Sequence, residues 1–306
     1  MVIRKTDGPL AWQSKVILLL VVPWTVASVI LQAHWWWTQV PLVAYQTLGI
    51  SALFGLVVWR LRAGTPAAAA TGAAITASLM FSTTSYPYEW SWLHGGLMPL
   101  LAVFLLAFAA TKIGKAKKER LGTGEGKRGR NAAQVAANLG VAALVAQHGI
   151  LVLPVWRVWD VGGSIGTLLA LAALAEAAAD TVSSEIGQVF GGQPRMLTSF
   201  RRVEPGTDGG ITVLGTVAGA FAAAIVVIVG LWAFGALEDW FVFFLSFAGP
   251  VFGLLFDSLL GATFERRGWL NNDAVNFLST ASAVLFSALA LLLYSLFISR
   301  ATPHFS

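Results

Sequence analysis

The chain has 306 residues, of which 57% are hydrophobic and 11% charged, with a net charge of +5 and no cysteine. One soluble core cannot absorb that much apolar surface, and the apolar runs are too long for globular helices, so an all-α integral membrane protein is expected. The missing cysteines exclude disulfides, thiolate zinc sites and cysteine nucleophiles. The basic excess clusters beside apolar runs, where it sets orientation, so no nucleic-acid partner is expected.

In chain order, about nine membrane spans are predicted, each near the roughly 20 residues that a bilayer requires. They run from Val16 to Ala33, Val40 to Trp59, Ala67 to Phe81, Leu97 to Ile113 and Ala132 to Leu153. The others run from Ile165 to Ile186, Ile211 to Phe234, Phe241 to Leu260 and Ala274 to Ile298. The first run follows Arg4, Lys5 and Lys15 and imitates a signal peptide. Its length, and its passage straight into a second run, read as a retained anchor. Abundant Ala, Gly, Ser and Thr suit close helix packing in lipid. No internal repeat is visible, which disfavours the duplicated design common among transporters. Residues 1–306 read as one polytopic domain, with N-terminal helices over 1–114, a basic loop over 115–131 and catalytic helices and loops over 132–306.

Orientation follows from Lys and Arg in short loops. Lys112, Lys115, Lys117, Lys118, Arg120, Lys127, Arg128 and Arg130 follow the fourth span; Arg195, Arg201 and Arg202 follow the sixth; Arg266 and Arg267 follow the eighth. With nine spans these loops share the cytoplasmic side with the N-terminus, and the C-terminus lies outside. The opposite loops carry Trp35, Trp36, Trp37, Trp90, Trp92, Trp156, Trp159 and Trp240, an aromatic belt with few cations.

That orientation brings the suspicious polar residues to the cytoplasmic ends of the helices. Glu176 and Asp180 are four apart and share a helix face. Asp257 sits near the end of the eighth span in GLLFDSLLGAT, and Asp273 opens the ninth in GWLNNDAVNFLST, followed by Asn276 and Thr280. Asn131, Gln134 and Asn138 form a polar stripe in RNAAQVAANLG. Charge at the bilayer centre costs on the order of 3 kcal/mol or more, so such carboxylates read first as functional and second as an inward structural pair. Carboxylates converging from separate helices suit Mg²⁺, which takes one or two of them plus phosphate oxygens. Arginine is the fitting phosphate partner, and Lys127, Arg128, Arg130, Arg195, Arg201 and Arg202 offer a crown of cations. Pro205-Gly206-Thr207-Asp208-Gly209-Gly210, expected at a helix start, either presents N–H groups to an anion or caps the helix through Thr207 or Asp208. Gly122 to Lys127 imitates a Walker loop but lacks its glycine spacing, its hydroxyl after lysine and a preceding strand. No nucleophile elbow accompanies Ser183 or Ser184.

These motifs resemble the transmembrane protein 19-like family, formerly a domain of unknown function, which includes the phytyl-phosphate kinase of chlorophyll-phytol salvage. The resemblance rests on RNAAQVAANLG, on ADTVSSEIG followed by PR and RRVEPGTDGGITVLG, and on FDSLLGAT with NNDAVNFLST, in that order. A wider similarity is to the CTP-using dolichol kinase, phytol kinase and CDP-lipid synthase group. Asp180, Phe190-Gly191 and the Arg201-Arg202 loop match it, although the K-[ST]-x-E-G stretch of that group is replaced here by RRVEPGTDGG.

The resemblance implies phosphorylation of a prenyl monophosphate to its diphosphate, with CTP or another nucleoside triphosphate as donor. Glu176, Asp180 and Asp257 would hold Mg²⁺ on the nucleotide. Asp180, Glu185, Arg201, Arg202 and Asp208 are the expected catalytic residues. Lys127, Arg128, Arg130, Asn131, Asn138, Ser184, Arg195, Glu204, Pro205, Gly206, Thr207, Gly209, Gly210, Asn272, Asp273 and Asn276 are the expected contacts to nucleotide and lipid. The competing expectations are a CTP:lipid-phosphate cytidylyltransferase and a transporter or flippase of an anionic lipid. Outer helix halves that read as apolar count against a through-path.

Overall fold

The computed structural model describes residues 10–123, 129–147 and 164–301. Ten helices carry most of the described backbone: α1 (Trp12–Gln39), α2 (Pro41–Arg60), α3 (Pro66–Thr83), α4 (Leu97–Lys112), α5 (Lys115–Leu121), α6 (Ala132–Val145), α7 (Ser164–Phe190), α8 (Val213–Ala233), α9 (Trp240–Leu260) and α10 (Asn272–Ala301). The described part of the protein is all-helical except for one two-stranded ribbon, β1 (Arg195–Met196) with β2 (Gly210–Ile211), in antiparallel register. Six helices, α1, α2, α7, α8, α9 and α10, are long and apolar enough to cross a membrane, and α4 with α5 makes a seventh if that bent pair counts as one span. Helix α6 ends at Val145 after 14 residues, with Ala146 as its C-cap, short of the expected end at Leu153; residues 148–153 lie outside the described residues. Helix α3 has 18 residues rich in Ala, Ser and Thr, and most of its length is buried by neighbours.

The boundaries have local causes. Pro41 and Pro66 sit in the first turns of α2 and α3, where a missing N–H costs nothing. Asn131 and Gln134 close a capping box on α6, and Asp239 caps α9 through Phe241 and Val242. Gly114, at φ +64°, turns the chain by 66° between α4 and α5. A Cβ there would lie 2.5 Å from Val189, so this bend needs glycine for its conformation and for its contact with α7.

Helix α7 occupies the centre. It packs against α4, α6, α8, α9 and α10, and it is the most enclosed of the six candidate spans. The α7–α8 seam is made by small residues: a Cβ on Gly219 would approach the Ala179 carbonyl to 2.6 Å, and one on Gly215 the Ser183 carbonyl to 2.7 Å. Lipid gives no hydrophobic drive to helix association, so such close backbone approach supplies the dispersion that holds the pair. Large apolar side chains such as Leu19, Leu31, Phe221 and Leu285 point outward instead.

Interhelical contacts sort into two ends. At one end, Gln13 of α1 donates to the Trp269 carbonyl, the Gly64 and Arg130 backbones bridge, Lys118 meets Glu185, and Gly209 lies on Ala262. At the other, Gln46 bonds Ser91, Gly96 N–H donates to Thr83, and His94 lies beside Trp232. The first end collects the arginine- and lysine-bearing loops.

Two expectations are corrected. Thr207 to Gly210 does not open a helix: Gly210 is already in β2, and α8 starts at Val213 with Thr212 as its cap, accepting from Gly215 N–H. A hydroxyl preceding the uninterrupted apolar run is the better cap, and the glycine pair is thereby freed to make a turn. The second end is also less apolar than expected. Trp24 donates to Gln147, Gln147 to Ser78, and Gln32 to Ser28 and Ser82, a neutral, partly buried polar line between α1, α3 and the segment after α6.

Candidate active site

The centre of the site is a pair of carboxylates one turn apart on α7, Glu176 and Asp180. Glu176 is 1% exposed. It fits because α9 offers Gly253 opposite: a Cβ there would lie 2.6 Å from Glu176 Cγ. Asp257 follows Gly253 by one turn and so faces the same way. It stands within electrostatic range of Asp180, Glu176 and Glu265. From α10, the Thr280 hydroxyl lies 2.6 Å from Glu176 Oε2 and 2.7 Å from the Asn276 carbonyl, and its single hydrogen serves one acceptor at a time. Ser279 stands beside both carboxyls, yet its hydroxyl is 3.0 Å from the Asn276 carbonyl. Glu176 Oε1 and Asp257 Oδ1 are buried without a hydrogen-bond partner among the described residues. Buried polar atoms are nearly always paired, so two lone carboxylate oxygens from neighbouring helices mark a place prepared for something else.

Arg130 approaches from the loop end. Its backbone is fixed by Ala63 and Thr65, its Nη2 donates to Thr181 Oγ1 at 3.3 Å, and its charge acts on Asp180. Asn138 of α6 accepts from Asn276 Nδ2 at 2.8 Å, and Asn276 accepts from Asn272 at 3.4 Å. Of the residues singled out in the sequence, Glu176, Asp180, Asp257, Arg130, Asn138, Asn272 and Asn276 thus belong to one polar region between α6, α7, α9 and α10.

Others are engaged elsewhere. Glu185 pairs with Lys118, whose ammonium also donates to the Ala110 and Thr111 carbonyls. Lys118 is 2% exposed, a buried clamp from the α4–α5 bend onto α7. Asn131 is occupied by its capping box, and Ser184 bonds the Thr181 carbonyl within its own helix. Asp273 accepts from Ser14 at 2.6 Å and so ties α10 to α1. Lys127 and Arg128 lie outside the described residues.

Arg201 and Arg202 are exposed on the ribbon loop, where Arg195 donates to the Phe200 carbonyl. In the same loop Thr207 donates to the Glu204 carbonyl, Pro205 is half-buried, and Asp208 is exposed. Gly206 and Gly209 adopt φ of +85° and +73°. The loop is seated by Gly209 on the π-helical turn Gly261–Glu265, where a Cβ would fall 2.2 Å from Ala262 N. It therefore covers the end of α9 a few residues beyond Asp257.

Sequence reasoning missed Gly253, Ser279 and Thr181, and treated Lys118 as an orientation signal. Gly253 carried a trace, being four residues before Asp257 and so on the same face.

Among the described residues no group of three or more His, Cys, Asp or Glu side chains is arranged to hold a metal ion. The donor set still fits Mg²⁺ of the kind that phosphate oxygens complete, because the two partnerless carboxylate oxygens are hard anionic ligands.

The sequence model of the family described as integral membrane protein DUF92 matches residues 49–284. The chain belongs to this family. A membrane protein of Methanocaldococcus jannaschii described as uncharacterized is 36% identical over 184 residues, covering 60% of this chain and 71% of that protein. Two Arabidopsis thaliana proteins are also similar. The chloroplastic protein VTE6 is 29% identical over 60% of this chain and 55% of its own length, and protein PGR is 33% identical over 56% and 64% respectively. No solved structure matches the chain. The matched span contains every residue of the carboxylate site and excludes the whole of α1.

Proposed function

We propose that this integral membrane protein is a prenyl-phosphate kinase, transferring a phosphoryl group from CTP or another nucleoside triphosphate to a prenyl monophosphate at the cytoplasmic membrane surface. The observation that carries the reading is the pair of partnerless oxygens on Glu176 and Asp257, beside Asp180 and Arg130, at the end where the basic loops gather. The family resemblance of the same motifs to phytyl-phosphate kinase supplies the reaction class. In the proposed topology α3, α4 and α6 also cross, giving nine passes with the N-terminus inside.

The chemistry asks little of covalent participation by the protein. An oxygen of the acceptor phosphate attacks the γ-phosphorus, the bond from that phosphorus to the β–γ bridging oxygen breaks, and the electron pair leaves with the nucleoside diphosphate. The acceptor oxygen is already ionised at neutral pH, so no strong general base is needed. Positioning and electrostatics do most of the work in such transfers. Glu176 and Asp257 would hold Mg²⁺ beside Asp180, and the ion when bound would neutralise and orient the nucleotide phosphates. Arg130 would fix the acceptor phosphate, and Arg201 and Arg202 on the ribbon loop would hold the nucleotide phosphates over the end of α9.

The test is a phosphotransfer assay on detergent-purified protein, offering CTP, ATP, GTP and UTP against geranylgeranyl, phytyl and farnesyl monophosphates with Mg²⁺. A prenyl diphosphate with released nucleoside diphosphate, lost in Asp180→Asn and Asp257→Asn, is the expected result. A CDP-linked lipid with released diphosphate would make it a cytidylyltransferase. No turnover from folded protein would leave transport in front, and the partly buried polar line of Gln32, Ser82 and Gln147 would then be the first place to look.

A further inference from the structure

An apolar cleft opens beside the carboxylate site on the side away from α9. Val58, Ala68 and Gly72 form one wall, and Leu100, Phe104 and Phe108 the other. Helix α2 meets α4 across it through Phe54 and Phe104, edge to face at 5.3 Å. Within it a Cβ on Gly72 would touch nothing within 4 Å, so the space is real and glycine keeps it open. From Leu100 to Lys112 the cleft follows α4 through twelve residue-to-residue rises, about 18 Å at 1.5 Å per residue. That is more than half of a hydrocarbon core ~30 Å thick.

Its two ends differ in chemistry. Most of the lining is hydrocarbon, but one end carries Arg130 and Lys112, with Asn138 about two turns deeper along α6. Arg130 there also bonds Thr181 and acts on Asp180, while the floor residue Ala177 is the chain neighbour of Glu176. The cleft and the carboxylate site thus share a wall at their cationic end.

We infer that the α2–α3–α4–α6 cleft holds the hydrocarbon chain of a single-chain isoprenoid phosphate, with its phosphate on Arg130 facing Asp180. The phosphate identity of the head rests on the proposed kinase reading; the shape and charge of the cleft do not. Arginine matches a phosphate bidentately, and a chain lying among aromatic and small side chains needs no polar partner. A two-chain phospholipid would have to leave one tail outside.

The experiment is photolabelling of the full chain in nanodiscs with geranylgeranyl monophosphate bearing a diazirine at the chain terminus, without nucleotide, followed by peptide mapping. Labels are expected on α4 between Leu100 and Phe108 and on α2 near Phe54. Labelling should fall at least fivefold in Gly72→Leu and persist in Gly72→Ala. Labels confined to the outer face of α8, or equal displacement by excess phosphatidic acid, would overturn the inference, the latter by making the cleft a general lipid seat. The mapping on the unchanged chain decides the matter even if Gly72→Leu fails to fold. Cleft labelling without phosphotransfer would remove the kinase and leave the cleft; phosphotransfer without cleft labelling would do the reverse.

Discussion

Lys118→Met tests the buried clamp between α4–α5 and α7. The lysine ammonium gives hydrogen bonds to the Ala110 and Thr111 carbonyls at 3.0 and 2.8 Å and an ion pair to Glu185. Breaking a buried pair by removing one partner costs about 3–5 kcal/mol, because the remaining charge is stranded. Glu185 keeps 19% side-chain exposure, so water partly solvates it and the lower figure, about 3 kcal/mol, applies. At roughly 2–4 °C per kcal/mol for larger domains, the apparent Tm should fall by about 6–12 °C. The assay is thermal unfolding in detergent at one heating rate, since membrane proteins rarely refold on cooling. Lys118→Met with Glu185→Leu should recover more than half of the loss, because exchanging both partners for apolar groups is nearly neutral. A single variant within 2 °C of the parent would refute the clamp. Glu185→Gln separates this role from general-base catalysis: as a clamp it leaves turnover per folded molecule within a few-fold. A loss of about a hundredfold or more in fully folded protein would be the mark of a general base.

Gly253→Ala should impair the site more than the fold. Its new methyl would meet Glu176 Cγ at 2.6 Å and Ala283 Cβ at 2.9 Å, an overpacking worth about 1–3 kcal/mol by thermal unfolding, while kcat falls more than that loss accounts for. Gly209→Ala strains a φ of +73° and collides with the Ala262 backbone, so the ribbon loop should lift and trypsin should cut at Arg201–Arg202 several times faster. Asn131→Ala removes the α6 cap at a cost of about 1 kcal/mol; nucleotide Kd within twofold of the parent would confirm that the residue is occupied by capping. Because the chain has no cysteine, a single cysteine at Phe200 should react with an impermeant maleimide only from the cytoplasmic side, and one at Trp90 only from outside. The reverse pattern would invert the proposed topology.

The helices were legible because each long apolar run between basic or aromatic loops corresponds to one. Only six of them, or seven with the bent α4–α5 pair, are long and apolar enough to cross a membrane, and α1 and α10, at 28 and 30 residues, outrun the bilayer estimate. Helix length depends on capping and neighbours as well as on hydropathy, and Asn272 and Asp273 proved to be inside α10. Glu176, Asp180 and Asp257 were legible because charge within an apolar run has few structural uses. Their convergence was expected, but the contact that permits it was not legible, since it depends on Gly253 allowing α9 to reach α7. Lys118 was misread because a lysine in a basic loop looks like every other one until the α4–α5 bend folds it inward. The same reasoning explains Thr207 to Gly210, where the deciding feature was the better cap offered by Thr212.

The enclosure of α7 has a consequence for biogenesis. Glu176 and Asp180 would burden its entry into lipid alone, since a central carboxylate adds on the order of 3 kcal/mol to insertion. In the finished protein that burden is relieved by the room that Gly253 leaves on α9 and by the Thr280 hydroxyl on α10, which leave the ribosome some 80 to 100 residues later. The helix that holds the chemistry must therefore wait, half-accommodated, for helices not yet made. Nascent chains stopped after α8 should remain extractable or be degraded, and those reaching the end of α10 should become stable together.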